Sequence, residues 1–215
     1  MPENAKSGKR EIRYMSYPLR IEVCGGIASG KTTFAKLMKR IGLETILENF
    51  QTNPFWQAFY SDPAKYTFET EISFMLQHYH EIKKEQSTGK INICDYSFFL
   101  DIAYAEIGLQ GSTLTTFYAV YNEIKNELPP PALLVYLNCD AETELKRIRN
   151  RGRDVEKSID LKFLDTLNKS VEHHATNAGK EINVISVDSA KTNFVDYESA
   201  KKELLDLVSQ FLLTN

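Results

Sequence analysis

What the chain lacks narrows its chemistry first. Its three cysteines in 215 residues, Cys24, Cys94 and Cys139, are widely separated, each at the end of an apolar run. That scatter gives neither a disulfide framework nor metal-ligand spacing, and it fits buried, reduced thiols of a cytoplasmic protein. No apolar run approaches the roughly 18 residues that a membrane span needs. Met1 to Arg10 is polar, without the apolar stretch of a signal peptide, so residues 1–18 are expected to form a flexible tail. Excess positive charge is missing too: 26 basic against 29 acidic residues leave a net charge of −3. Nucleic-acid binding needs the opposite balance, so neither nucleic acid nor membrane is expected as a partner. There is no internal repeat, low-complexity tract or interdomain linker. The length suits one compact α/β domain over 19–215.

What is present is a phosphate-loop signature in its proper context. Gly25-Gly26-Ile27-Ala28-Ser29-Gly30-Lys31-Thr32-Thr33 fits G-x-x-x-x-G-K-[ST]. It follows the strand-like Leu19 to Cys24 and precedes a helical pattern, Phe34 to Ile41. The glycines let backbone N–H groups face an anion. Lys31 can reach β- and γ-phosphates, and the Thr32 hydroxyl can ligate Mg²⁺. The pattern predicts a nucleoside triphosphate ligand.

Five short apolar runs, at about 19–24, 43–48, 90–94, 132–138 and 182–187, read as strands. Amphipathic segments at about 30–41, 54–86, 97–127, 141–178 and 196–213 separate and follow them. This alternation predicts an α/β fold with a parallel sheet flanked by helices. Pro54 and Pro63 punctuate the second segment, and Gly108 with Gly111 breaks the third. Pro129-Pro130-Pro131 stops the helical pattern before the fourth strand. Ligands of such sheets bind at the carboxyl ends of the strands, where Glu48 and Asp95 fall. One carboxylate could accept a hydroxyl proton and the other organise Mg²⁺; a helix cap or a solvated turn residue would look the same in isolation.

Arg147, Arg149, Arg151 and Arg153 crowd seven positions, with Arg147 and Arg151 on one helix face. They suit either a clamp on triphosphate charge or a solvated basic helix end. Gly152 among them suits the hinge of a lid over about 147–159. In the helix Tyr66 to Lys84, the stripe Phe68, Glu71, Ile72, Met75, Tyr79 and Ile82 contains a glutamate that is costly to bury without a donor. Glu71 is expected to be either solvated at a wet edge or in contact with a ligand's N–H groups. His78 borders the stripe, as a packing histidine or a ligand-binding one.

On these residues the chain resembles the deoxyribonucleoside kinase family, in particular its bacterial deoxyadenosine/deoxyguanosine kinase branch. The similarity rests on Gly25–Thr33, Leu47-Glu48-Asn49, Asn53-Pro54-Phe55, Phe59 to Pro63, and the block Arg151-Gly152-Arg153-Asp154-Val155-Glu156. The resemblance implies a P-loop kinase fold with a five-stranded parallel sheet and an arginine-rich lid, usually a homodimer. It also implies transfer of the γ-phosphoryl of ATP to a nucleoside 5′-hydroxyl with Mg²⁺. It gives Glu48 the role of general base, Tyr60 and Glu156 the sugar 3′-hydroxyl, and Arg147 and Arg151 the phosphates. Asp95 falls near Mg²⁺, Asp101 at the base, and Phe194 on the adenine of ATP.

The departures fall in the acceptor half. Glu71 stands where the family usually has glutamine, and His78 where it usually has arginine. The Asp/Glu-Arg-Ser motif is here Asp95-Tyr96-Ser97, without its arginine; by the resemblance His78 and Tyr96 are expected to bind the nucleoside. Asn193 also stands near where an aspartate usually touches the ATP base. An ionised Glu71 accepts hydrogen bonds only, which would favour guanine's N1–H and exocyclic amine. The expected function is a purine-directed nucleoside kinase with an altered base pocket. The alternatives are a catalytically weak nucleotide-binding member, or a kinase acting on a nucleoside monophosphate or another small hydroxyl compound. Apolar residues of 97–127, among them Phe98, Ile102, Leu109 and Phe117, could pack between subunits or cover the sheet of a monomer.

Overall fold

A computed structural model of the chain describes residues 19–85 and 90–214; the tail expected over 1–18 lies outside them. The strands are β1 (Arg20–Cys24), β2 (Glu44–Ile46), β3 (Asn92–Cys94), β4 (Leu133–Asn138) and β5 (Asn183–Asp188). They form one five-stranded sheet in the order β2-β3-β1-β4-β5, and every pairing is parallel. The helices are α1 (Lys31–Leu37), α2 (Trp56–Ser61), α3 (Pro63–Glu85), α4 (Phe98–Gly108), α5 (Gly111–Glu127), α6 (Ala141–Arg151), α7 (Leu161–Ala178) and α8 (Glu198–Thr214).

Each break read from the sequence marks a boundary. Pro63 is the first residue of α3, a position where its missing N–H costs nothing. The second, third and fourth amphipathic segments each resolve into two helices. The strand expected over 43–48 is shorter, ending at Ile46. Beyond it the Asp95 side chain takes the Glu48 N–H at 2.6 Å, in place of a ladder partner. The helix expected to run to 41 tightens after Leu37 into a 3₁₀ turn, Met38–Ile41, closed by Gly42 at φ 85°.

Alternation along the strands separates two cores. Ile21, Val23, Leu133 and Val135 pack with Phe34, Met38, Leu204 and Val208, from α1, the turn after it and α8. Cys24, Leu134 and Tyr136 meet Ala103 of α4 and Leu164, Leu167 and Val171 of α7. A third cluster joins Met75 and Ile82 of α3 to Phe98, Ile102, Phe117 and Ile124 of α4 and α5. Phe98, Ile102, Leu109 and Phe117 are therefore buried within the chain itself. Among the described residues, no helix is long and apolar enough to cross a membrane, and all three cysteines are buried and free.

This packing holds the carboxyl ends of β1, β2 and β3 side by side, with α3 and α4 rising beside them. Phe117 is fully buried where α3, α4 and α5 meet. Phe117→Ala is expected to lower unfolding stability by about 3–5 kcal/mol, as phenylalanine-to-alanine cavities do, measured by denaturant titration.

Candidate active site

The loop from Gly25 to Gly30 leaves β1 and enters α1 with Gly30 at φ 105°, a region that disfavours side chains. Its underside fits flush on α6 and α7: a Cβ at Gly26 would stand 2.2 Å from Asn168 Oδ1 and 2.3 Å from Glu144 Oε1. Lys31 Nζ donates to the carbonyls of Gly25 (2.9 Å) and Gly26 (2.7 Å). Burial pulls its pKa down, opposed by nearby carboxylates, Glu48 foremost. Arg147 Nη1 donates to Ala28 O at 3.2 Å and Ser29 O at 3.4 Å, while Nη2 donates to Ser189 O at 2.7 Å. In this structure Arg147 braces the back of the loop.

The acids at the strand ends converge on the loop. Thr32 Oγ1 donates to Asp95 Oδ2 at 2.6 Å, and Asp95 Oδ1 accepts the Glu48 N–H. Burial raises the Asp95 pKa against these hydrogen bonds. The Glu48 carboxylate lies 3.0 Å from His78 Nε2, and His78 Nδ1 lies 2.9 Å from Asp101 Oδ2. Burial would push Glu48 up, but the His78 hydrogen bond and charge, with Lys31 and Arg153 behind, outweigh it and hold the acid below its ordinary range.

A cavity of about 600 Å³ opens between these groups, within the usual size range of small-molecule sites. Ile27, Ala28, Gly30, Lys31, Thr32 and Thr33 form one side. Glu48, Tyr60, Glu71, Asp95 and Asp101 line it from the other elements, with Arg147, Arg151 and Glu156 at its margin. His78 and Tyr96 instead line an adjoining cavity that shares Glu48 as a wall. Gly25, Gly26 and Ser29 lie behind the loop surface. Phe194 does not reach the cavity: it is buried edge-on to Phe34, 6.2 Å between centroids, and its ring supports Gly30 from below.

Two expectations change here. Glu71 is not at a wet edge; it is 3% exposed. Burial, and then the Asp101 charge, push its carboxyl well above the ordinary range, which works against the ionised form considered from sequence. Arg151, expected on phosphates, here grips the buried Glu156 with two hydrogen bonds of 2.7 Å, and Arg153 adds a third at 3.2 Å. The segment bearing them, with Gly152 at φ 65° and the turn Asp154–Ser158, rests on α2, where Ser158 Oγ donates to Tyr60 O at 3.2 Å.

Sequence reasoning missed several cavity or loop residues, Phe74, Tyr104, Trp56 and Glu144 among them. Phe74 and Tyr104 line the cavity; each follows a singled-out acid, Glu71 or Asp101, by three positions, a spacing that puts them on the same helix face. Trp56 carried no such signal. Glu144, wholly buried under the loop, is pushed up to about 7 by burial and reads in sequence as one more charge on a polar helix. The Gly26→Ala protein is expected to unfold at lower denaturant than the parent, because its Cβ drives into Asn168 and Glu144. Gly26→Ala/Glu144→Ala should recover part of that loss in the same titration.

Comparison with known proteins gives the family and the fold. The deoxynucleoside kinase family model matches residues 21–213. A deoxyguanosine kinase of Bacillus subtilis (strain 168) is 28% identical over 200 residues, covering 87% of this chain and 97% of the relative. A deoxyadenosine kinase of Dictyostelium discoideum is 28% identical over 184 residues, covering 83% and 74%. The structure of deoxyadenosine kinase from M. mycoides with bound dCTP superposes with a TM-score of 0.74, at 23% identity, over 92% of this chain and 100% of that one. The chain is an enzyme of the deoxynucleoside kinase family.

Proposed function

We propose that the protein transfers the γ-phosphoryl of ATP to the 5′-hydroxyl of a purine deoxynucleoside. The observation that carries this is the placement of one ionised acid, Glu48, on the wall of the cavity that the phosphate loop also lines. A nucleoside seated there offers its 5′-oxygen to Glu48, which takes the proton as that oxygen attacks the γ-phosphorus and ADP departs. Lys31, now bonded to loop carbonyls, turns its ammonium to the phosphates when they arrive. Thr32 and Asp95 present a hydroxyl and a carboxylate 2.6 Å apart, hard oxygen donors that suit Mg²⁺ bound mainly through substrate phosphates. The metal would neutralise phosphate charge.

Asp101 and Glu71 face the base, Tyr60 and Glu156 the sugar, and the 147–159 segment acts as a lid hinged at Gly152. As a neutral acid, Glu71 both donates and accepts, which complements adjacent acceptor and donor atoms on either purine. The deoxyguanosine and deoxyadenosine kinases among the relatives support a purine acceptor. Glu48 and Asp101 on the acceptor wall disfavour a monophosphate. A homodimer, implied by the resemblance, belongs to the same proposal.

A panel of nucleosides with labelled ATP and Mg²⁺ is expected to give fastest transfer to a purine deoxynucleoside; thymidine as the best acceptor contradicts it. Glu48→Gln should lower kcat by about 10²–10⁴-fold, the range of general-base catalysis, measured as nucleoside-dependent ADP release. Glu71→Gln keeps a donor and an acceptor and is expected to retain activity within about tenfold, while Glu71→Leu loses on the order of 10–100-fold in kcat/KM, the scale of a base-reading pair.

A further inference from the structure

His78 occupies a position that neither phosphate binding nor base reading accounts for. It is 3% exposed and makes its two hydrogen bonds to acids on different elements: Glu48, beyond β2, and Asp101, in α4. With both acids ionised, both ring nitrogens donate to them, and only the imidazolium does this; burial pushes Asp101 up against that state, and the His78 charge and hydrogen bond pull it back. Tyr96 lies flat on the ring, with centroids 3.9 Å apart and planes inclined by 8°. Phe74 stacks more distantly at 5.9 Å and 24°, and Phe98 meets the ring edge at 6.4 Å. The ring is thus fixed in plane and in rotation.

We infer that His78 is a cationic positioning residue, clamping Glu48 and Asp101 to one ring so that the proton acceptor and the base-facing acid form a single rigid unit. This rests on the proposed phosphoryl transfer. Every donor of the ring is used, so His78 has none left for a ligand and works only through the two acids. Without the clamp, Glu48 would carry its charge in a site crowded by Glu71 and Asp101, and nothing would fix its rotamer toward a 5′-oxygen.

The charges facing this unit come from four directions. Glu71 lies on α3 itself, Asp101 on α4, Glu48 after β2 with Lys31 and Arg153 behind it, and Glu22 of β1 adds a field on Asp101. Burial opposes the charge on His78, but the Asp101 charge and hydrogen bond, then those of Glu48, push its pKa to about 10. The sign follows: a raised cationic pKa stabilises the fold fully below the unfolded value near 6.5, and that contribution is lost as pH rises through about 10.

The test pairs a spectrum with kinetics on the full chain. Proton–nitrogen correlation of ¹⁵N-histidine-labelled protein at pH 8.5, with the His78 signals assigned through contacts to the Tyr96 ring, should show both ring nitrogens protonated. A neutral tautomer at that pH overturns the clamp, whether or not any variant folds. In kinetics, His78→Gln should lower kcat about 100-fold while KM for ATP stays within twofold, and His78→Arg, which restores charge and paired donors, should recover at least tenfold. An unchanged kcat in His78→Gln, or no recovery in His78→Arg, overturns the positioning role. Should the unmutated protein phosphorylate no nucleoside, the transfer proposal fails and the catalytic role of the clamp with it, while the spectrum still decides the bridge.

Discussion

Asp95 joins the two halves of the site by dividing its oxygens between them. One oxygen accepts the Thr32 hydroxyl of the phosphate loop, and the other accepts the backbone N–H of Glu48, each at 2.6 Å. From Glu48 the line of hydrogen bonds continues through His78 to Asp101. Four contacts of 2.6–3.0 Å therefore tie the first turn of α1, a turn after β2, a residue after β3 and the helices α3 and α4 into one register. A short β2 is part of the same arrangement, because the chain leaves the ladder at Ile46 to meet Asp95.

The balance of charge follows from that connectivity. Glu48, Glu71 and Asp101 stand close together with one imidazole among them, and like charges at such range cannot all ionise. The His78 ring is bonded to two of the three, and burial with the Asp101 charge pushes the third, Glu71, well above its ordinary range. A neutral carboxyl resembles the glutamine side chain usual at that position in the family, with one donor and one acceptor. Where the Asp/Glu-Arg-Ser motif has no arginine, the Tyr96 ring lies flat on His78.

Much of this was legible in the sequence. The Gly25–Thr33 motif, the proline and glycine breaks and the five apolar runs are local signals, and they located the sheet, the loop and the acids Glu48 and Asp95. What could not be read depends on neighbours distant in the chain. The state of Glu71 is set by burial and by Asp101, thirty residues later. The role of His78 needs two acids from other elements at opposite ends of one ring. Arg147 and Arg151 share a helix face as their spacing implies, yet one faces loop carbonyls and the other a buried glutamate, because those acceptors were invisible until the chain folded. Phe194 resembled an adenine-stacking residue by position, but in three dimensions it fills the core under Gly30.

The central claim is geometric: one acid faces both an incoming alcohol and the terminal phosphorus held by the loop. A crystal structure with a non-hydrolysable ATP analogue, Mg²⁺ and deoxyguanosine tests it most directly. The account predicts the 5′-oxygen within about 2.6–3.2 Å of the Glu48 carboxylate, the reach a general base requires, in line with the γ-phosphorus and with the base between Glu71 and Asp101. A nucleoside bound elsewhere, or a 5′-oxygen directed away from Glu48 while the loop holds the triphosphate, would contradict it.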